Sequence, residues 1–452
     1  MLALRLTRGS HPAVQLRRLL VAVASAGTGF LLLCTLGYAM SHPDSAAAAA
    51  LRLAWCATPL AATVYFAVAV ARTDPATKPR PGLSAIGLGP GRLMAISATT
   101  TALACTLGSM LALLFFLHLR GDLTGMPFDG AAAEFLASDT PLPLPAALTL
   151  LAIVPVTASV SVALTLRPKD TKHPSTTKNG PRSYGRFGAY GKSGTRETFG
   201  AYGRFGAHLR TGGRTAAVEE TSAPEPATDT EPTATVTGPV DLDPTRPPAP
   251  REVPKGLPWG VAVLAAGLAV EAYANRTADT DGLSMPGGHA GGPAGVLAGW
   301  VLTALGLALA GPGLTHLCGR LLQAVRPGAL RLLAGRVLME EATRIGRPLG
   351  VVCAVASGAY AMTALYDTDA AVGPLTTLGT LLVTGCTVAT LLTAAVEARQ
   401  ARADTTAALV RLGAPATVLR SAAALRAGAL LALFVPLTVV IAELAALPLA
   451  HR

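Results

Sequence analysis

Residues 19–40, LLVAVASAGTGFLLLCTLGYAM, contain no charged side chain. A transmembrane helix needs about 20 consecutive apolar residues to cross a hydrocarbon layer of about 30 Å. Basic residues precede this run, as they do in a secretory signal, but the apolar core of a signal is only about 7–15 residues long. We therefore interpret 19–40 as a membrane anchor.

Further runs of the same kind follow along the chain. They lie at 51–71, 93–117, 144–166, 257–274, 292–316, 348–366, 374–396 and 422–447. Because only closed hydrogen-bonding structures survive in lipid, long Ala/Leu-rich runs without alternation at every second residue predict helices. Charged residues make up 14% of the chain, against about 25% in soluble domains. We expect an all-α, polytopic integral membrane helical bundle with about nine transmembrane helices.

The basic residues predict how the chain is oriented, because Lys and Arg accumulate on the cytoplasmic side of membrane proteins. With the N-terminus inside, 33 of the 37 basic residues fall in cytoplasmic segments. The exceptions are Arg52, Arg120, Arg276 and Arg452. We expect a multi-pass plasma-membrane protein with a cytoplasmic N-terminus and, after nine spans, an external C-terminus. This topology accounts for the net charge of +11, which gives no reason to expect a nucleic-acid partner.

No residue pattern predicts a catalytic, cofactor or metal site. The six cysteines fall in or beside spans without a C-x-x-C pair, so we expect neither disulfides nor zinc. RFGAYGKSGT, 186–195, is similar to a phosphate-binding loop, but the first glycine of G-x-x-x-x-G-K-[S/T] falls on Arg186, within a Gly/Tyr/Arg repeat. We expect a protein that is not an enzyme and holds no cofactor. If ATP drives it, another subunit hydrolyses the ATP.

Residues 167–256 interrupt the apolar pattern. Their first half is basic, their second half is acidic, and Pro, Thr and Gly fill the remainder. This composition predicts a disordered cytoplasmic linker, either a solvated spacer or a segment whose basic half lies on anionic headgroups. The linker divides the chain into a first four-helix unit, the linker itself, a linking helix pair with a cytoplasmic loop, and a second, truncated unit. These are residues 1–166, 167–256, 257–329 and 330–452.

Two short segments on the cytoplasmic side indicate that the two units are related halves. LSAIGLGPGRL, 83–93, follows the second span, and LVRLGAPATVL, 409–419, follows the eighth. Both fit L-x-x-[I/L]-G-[L/A]-x-x-x-x-L and lead into the next span. A basic amphipathic stretch, 3–20 or 334–350, precedes the first span of each unit. The matching residues are Leu83, Ile86, Gly87, Leu88 and Leu93 in the first segment and Leu409, Leu412, Gly413, Ala414 and Leu419 in the second.

On these residues the chain resembles the FtsX-like permease family, the membrane subunits of one class of ABC transporter. Residues 1–166 follow the order of that family's unit: a leading helix, a span, an external insertion, a second span, a cytoplasmic loop with an "LRALGA"-type motif, and two more spans. Residues 330–447 follow the same order through LVRLGA and one further span. The external loops are short, so the large external domain of the mechanotransmitting members is absent.

The resemblance implies that the two motif segments dock on a separate ATP-binding subunit. A short helix with apolar residues on one face can insert into a groove of a partner, and glycine permits a tight end against it. The alternative is that both segments are helix ends at the lipid interface. We expect docking to depend more on 409–419, because Pro and Gly interrupt 83–93. The expected partners are this ATPase, membrane lipids and, as an open alternative, a second copy or a companion permease.

The sequence therefore predicts the permease subunit of an ABC-type exporter for an amphipathic or hydrophobic cargo. One alternative is a scaffold or sensor that acts through the linker. Another is a secondary transporter, which would carry several ionisable groups at mid-bilayer. Glu271 and Glu443 are the only acids well inside the spans, with His316 the one clear histidine, so proton coupling is disfavoured. We expect Glu271, near the outer end of its span, to reach water. The Gly295–Gly299 step predicts close helix packing.

Overall fold

The computed structural model describes residues 12–74, 89–123, 130–133, 136–167, 254, 256–277, 294–324, 328–365 and 373–450. Within these ranges all regular structure is α-helical, which confirms the predicted all-α bundle. The helices are α1 (Pro12–Ser41), α2 (Ala46–Trp55), α3 (Ala57–Thr73), α4 (Pro90–Arg120), α5 (Leu144–Leu166), α6 (Gly256–Thr277), α7 (Ala294–Ala324), α8 (Ala329–Leu365), α9 (Pro374–Ala401), α10 (Ala403–Arg411) and α11 (Ala416–Ala450). Most of the linker, the loop-like stretch 186–195 and the first motif segment up to residue 88 lie outside the described residues.

Eight stretches of the described helices are long and apolar enough to cross a membrane, which confirms a multi-pass membrane protein. They are Pro12–Ser41, Ala46–Thr73, Gly91–Arg120, Leu144–Leu166, Gly256–Ala274, Gly295–Ala324, Pro374–Ala401 and Ala416–Ala446. The described part of the remaining expected span, 348–365, forms the end of α8 and is not one of the eight. Yet α8 runs antiparallel to α7, with Gly335 beside Gly319 and Gly350 beside Leu307. The end of α8 therefore lies along a candidate span.

The first half of the chain forms a bundle of α1, α3, α4 and α5. A Cβ atom on Gly108 of α4 would lie 2.2 Å from the carbonyl oxygen of Ala22 on α1, so this approach requires glycine. The Ser25 hydroxyl donates to the carbonyl of Cys105 at 2.8 Å. Close backbone approach and interhelical hydrogen bonds are the usual basis of helix association in lipid, where apolar side chains gain little by leaving the lipid tails.

In the second half, α7 packs along both α6 and α8, and α8 packs along α11. The predicted G-x-x-x-G step lies at the α6–α7 interface. A Cβ atom on Gly295 would lie 2.5 Å from Ala274 Cβ, and one on Gly299 would lie 2.8 Å from Glu271 Cβ. These two glycines therefore serve close helix packing, as the sequence predicts.

Helix α9 connects the two halves. It contacts α8 but packs more extensively against α3. Cys386 of α9 belongs to the same buried apolar cluster as Val21 of α1 and Phe66 of α3. The Cys386 sulfur also lies 3.9 Å from the Thr63 hydroxyl. By sequence α9 belongs to the second unit, but its buried face completes the core of the first half.

Candidate functional site

A sharp connection joins α9 to α11 and contains residues 409–415 of the second motif segment. We call this connection, residues 403–415, the elbow. Helix α10 begins directly after Arg402, and the chain turns at Gly413, whose φ is 88°. The amide of Gly413 donates to the Val410 carbonyl and the amide of Ala414 donates to the Leu409 carbonyl, both at 3.0 Å. These two bonds define a Schellman cap, which places a left-handed residue, usually glycine, after the helix. The two hydrogen bonds of this cap fix the backbone of the turn.

The elbow exposes its apolar residues. Leu412 is 84% exposed and Val410 is 53% exposed. Gly413 is exposed, whereas Leu409, Ala414 and Leu419 are half-buried. Scattered exposed leucines are ordinary on protein surfaces, but Leu412 is held at the tip of a capped turn, two residues after Val410. The elbow is therefore a rigid apolar projection that can insert into a groove of a partner or into lipid.

The first motif segment has a different placement. Leu83, Ile86, Gly87 and Leu88 lie outside the described residues. Leu93 is described; it lies in the first turn of α4 and is only 7% exposed. Leu409, Leu412, Gly413 and Ala414 thus lie in the elbow and Leu419 lies in the first turn of α11, whereas Leu93 is buried in the other half of the chain. Of the described motif residues, only those of the elbow present an apolar surface.

A buried carboxylate pairs with Arg402, the residue that precedes the elbow. The sequence did not lead us to expect a buried acid there. Glu341 of α8 is 6% exposed, and its Oε1 lies 2.7 Å from Arg402 Nε. The Nε–H of Arg402 is directed at the Ala398 carbonyl, 3.1 Å away, so Glu341 Oε1 makes an ion pair without an aligned hydrogen bond. A signal was available, because Glu341 recurs at helical spacing with the buried residues Ala334 and Leu338.

Arginines surround this carboxylate on several elements. Burial raises the pKa of Glu341 above its usual range, while the positive charges of Arg402, Arg426 and Arg344 oppose that shift. Arg402 joins α9 to α10, Arg426 is a half-buried residue of α11, and Arg344 lies on α8 itself. Arg402 and Arg426 are also close enough to repel one another. Glu341 therefore supplies the negative charge between two cations that flank the elbow.

The two acids of the spans lie elsewhere and do not form a common site. Glu271 is fully buried between α6 and α7, where Trp300 Nε1 donates to its Oε1 at 2.8 Å. The expectation that Glu271 reaches water is therefore wrong, because the neighbouring helix covers it. Glu443 is exposed and accepts a hydrogen bond of 2.9 Å from the Tyr360 hydroxyl of α8. The described residues contain no group of three or more His, Cys, Asp or Glu side chains that could hold a metal ion.

Comparisons of the chain with protein-family models, with curated proteins and with solved structures find no match. The resemblance to FtsX-like permeases therefore depends on the motif residues alone, and the function it implies is a proposal.

Proposed function

We propose that the chain is the permease subunit of an ABC-type exporter and that a separate ATP-binding subunit docks on the elbow. The observation that carries the proposal is the capped turn at Gly413, which holds Leu412 at 84% exposure. A fixed backbone lowers the entropic cost of binding, because the projection does not have to be ordered when a partner arrives. The eight candidate spans supply the membrane part that such a subunit requires.

The connections of the elbow support a coupling role. Helix α10 follows α9 directly, and α11 begins three residues after Gly413 at Ala416. Helix α9 is buried against the first half, and α11 packs along α8. A displacement of the elbow would therefore act on helices in both halves, as a rigid-body change of packed elements.

The packing of the leading helices supports the predicted repeat. The motif register pairs Leu93 with Leu419 and therefore Ala112 with Thr438. A Cβ atom on Gly29 of α1 would lie 3.1 Å from Ala112 Cβ, and Thr438 lies within hydrogen-bonding reach of Cys353 on α8. Helix α1 thus packs along α4 as α8 packs along α11. The two related units stay a prediction.

The proposed cargo is an amphipathic or hydrophobic molecule, such as a lipid or an apolar peptide. The spans carry large exposed apolar side chains, among them Leu381 at 70% and Leu107 at 68% exposure. Glu271 and Glu443 are each held by a hydrogen bond to an aromatic residue. Such surfaces offer few hydrogen-bonding groups to replace the hydrogen bonds that a polar solute makes with water. They can contact acyl chains without this cost.

The test is purification of the tagged chain from its native membranes, followed by an assay for ATP hydrolysis in the purified complex. We expect an ATP-hydrolysing subunit to co-purify, and Leu412→Asp to abolish this association, because a charge cannot enter an apolar groove without a partner. The matched control is Leu332→Asp, at a 40% exposed leucine of α8 away from the elbow. Cargo export by a preparation that lacks an ATP-hydrolysing subunit would contradict the proposal, as would an intact complex with Leu412→Asp.

A further inference from the structure

We infer that Glu341 is a positioning residue that holds the elbow at a fixed angle to α8 through Arg402. The structural part of this inference depends only on the contacts around Glu341. Its consequence for coupling rests on the proposed function. The two parts can therefore be tested separately.

Arg402 lies at the junction of α9 and α10, directly before the elbow. Its amide donates to the Arg399 carbonyl at 3.3 Å, at the end of α9. Its own carbonyl accepts the Thr406 amide at 2.8 Å and the hydroxyls of Thr405 and Thr406 at 2.9 and 2.6 Å, which fixes the first turn of α10. Its side chain contacts Ala398 and Glu341. One residue thus links α9, α10 and α8.

Helix α10 has little other support within the described residues. None of its own residues is buried. Among the helices, it packs against α9 and makes no comparable contact with α8 or α11. Side-chain packing therefore does not set its orientation. The direction of α10 follows from its two backbone connections and from the side chain of Arg402.

Glu341 pairs directly with Arg402, and its negative charge also acts on Arg426. Arg402 lies at the start of the elbow, and Arg426 lies on α11 beyond its end. Arg402 and Arg426 act on one another as like charges, so loss of the carboxylate leaves their repulsion uncompensated. Removal of one partner of a buried ion pair leaves the charge of the other partner uncompensated, which is unfavourable. A change of structure that exposes this charge to water lowers that cost. The expected relief is a rotation of α10 away from α8.

The structural test is a distance measurement between α8 and α10 in the purified chain, without any partner. Spin labels are attached to Thr343→Cys and Ala407→Cys, two exposed positions on these helices. The native cysteines are all buried, so labelling concentrates at the introduced sites. We expect one narrow distance distribution for the otherwise native chain and a broadened or shifted one after Glu341→Gln. Glu340→Gln, which neutralises the adjacent exposed carboxylate, should leave the distribution unchanged.

Further variants exclude a general folding defect. Glu341→Asp keeps the charge and should preserve the narrow distribution, whereas the exchange of charges in Glu341→Arg with Arg402→Glu should restore much of it. The elution profile of each variant in detergent shows whether it is folded. An unchanged distribution in well-folded Glu341→Gln overturns the inference.

The functional test separates this inference from the proposed function. In the complex with the ATP-hydrolysing subunit, Glu341→Gln should still bind that subunit, because Leu412 is intact. Stimulation of ATP hydrolysis by the chain should fall on the order of tenfold, within the usual range of coupling between sites. If no such subunit exists but Glu341→Gln alters the distance distribution, the proposed function fails and the positioning role stands. If the subunit binds and neither the distance nor the coupling changes, the positioning role fails.

Discussion

In each unit, an ion pair joins the leading helix to the end of the second long helix, and we call these two places corners. The acid and the base of the pair are exchanged between the two corners. In the corner between α3 and α4, Arg18 of α1 pairs with Asp74, the residue that caps α3. In the corner between α9 and α11, Glu341 of α8 pairs with Arg402, the residue that caps α9. Both carboxylates are buried, at 8% exposure for Asp74 and 6% for Glu341.

The polarity affects how each helix can end. The C-terminus of a helix carries a partial negative charge, which favours a cation there and disfavours an anion. Arg402 satisfies this rule at the end of α9, and Asp404 adds a favourable acid to the first turn of α10. Asp74 opposes the rule at the end of α3, and the chain leaves it in an extended conformation, with ψ at 119°. The second corner thus favours the start of a new helix directly after Arg402.

The last leucine of the motif differs in burial between the two segments. Leu93 is packed inside the bundle, whereas Leu419 is half-buried and Leu412 is almost fully exposed. In the second corner, an arginine at the end of α9 is followed directly by a separate short helix, and the turn after that helix exposes Leu412.

The largest effect is expected from reversal of the charge at the first corner. Asp74→Arg places a second guanidinium group beside that of Arg18, at a position that is 8% exposed in the native chain, and loss of a buried pair of this kind costs about 3 kcal/mol. We expect a lower midpoint of thermal unfolding in detergent. The exchanged pair Arg18→Asp with Asp74→Arg gives this corner the polarity of the second. It should recover most of the loss, because an arginine then caps α3; if it does not, the helix dipole does not distinguish the two corners.

The sequence allowed much of the fold to be predicted, because the length of an apolar run alone decides whether a helix can cross a membrane. The turn at Gly413 was also accessible, since a glycine after an apolar helical segment is a common cap. The role of Glu341 was not identified, because two adjacent acids in a basic amphipathic stretch look like a solvated surface. The packing of α9 on the first half was equally hidden, because small residues such as Cys386 do not specify which helix they will meet. The burial of Glu271 depends on Gly299 of another helix, so no local pattern showed it.

A smaller effect is expected from Gly413→Ala in the elbow. An alanine in the left-handed conformation costs about 1–2 kcal/mol, and no atom lies within 4 Å of the added Cβ, so the cost comes from the backbone alone. We expect hydrogen exchange of the α10 amides to accelerate at least about fivefold, since about 1 kcal/mol corresponds to that factor in an equilibrium constant. Gly428→Ala is the matched control: its Cβ also meets nothing, but it lies within α11 and should leave exchange in α10 unchanged. Equal exchange in both variants would show that the cap does not hold the elbow.

The smallest effect is expected from pH at the second corner. Because burial raises the pKa of Glu341, the folded state binds its proton more tightly than the unfolded state does. By linkage, the contribution of this group to the free energy of unfolding is full below its unfolded pKa, about 4.3, and declines as pH rises through its folded pKa. Glu341→Gln removes that titration, so the native chain should lose stability relative to this variant as pH rises from about 4.3. Thermal unfolding of both proteins at several pH values measures the difference. The contrary result is a thermal stability of the native chain that increases relative to Glu341→Gln as pH rises. It would mean that the charges of Arg402 and Arg426 outweigh the cost of burying Glu341. The ion pair of the second corner would then stabilise the fold as well as orient the elbow.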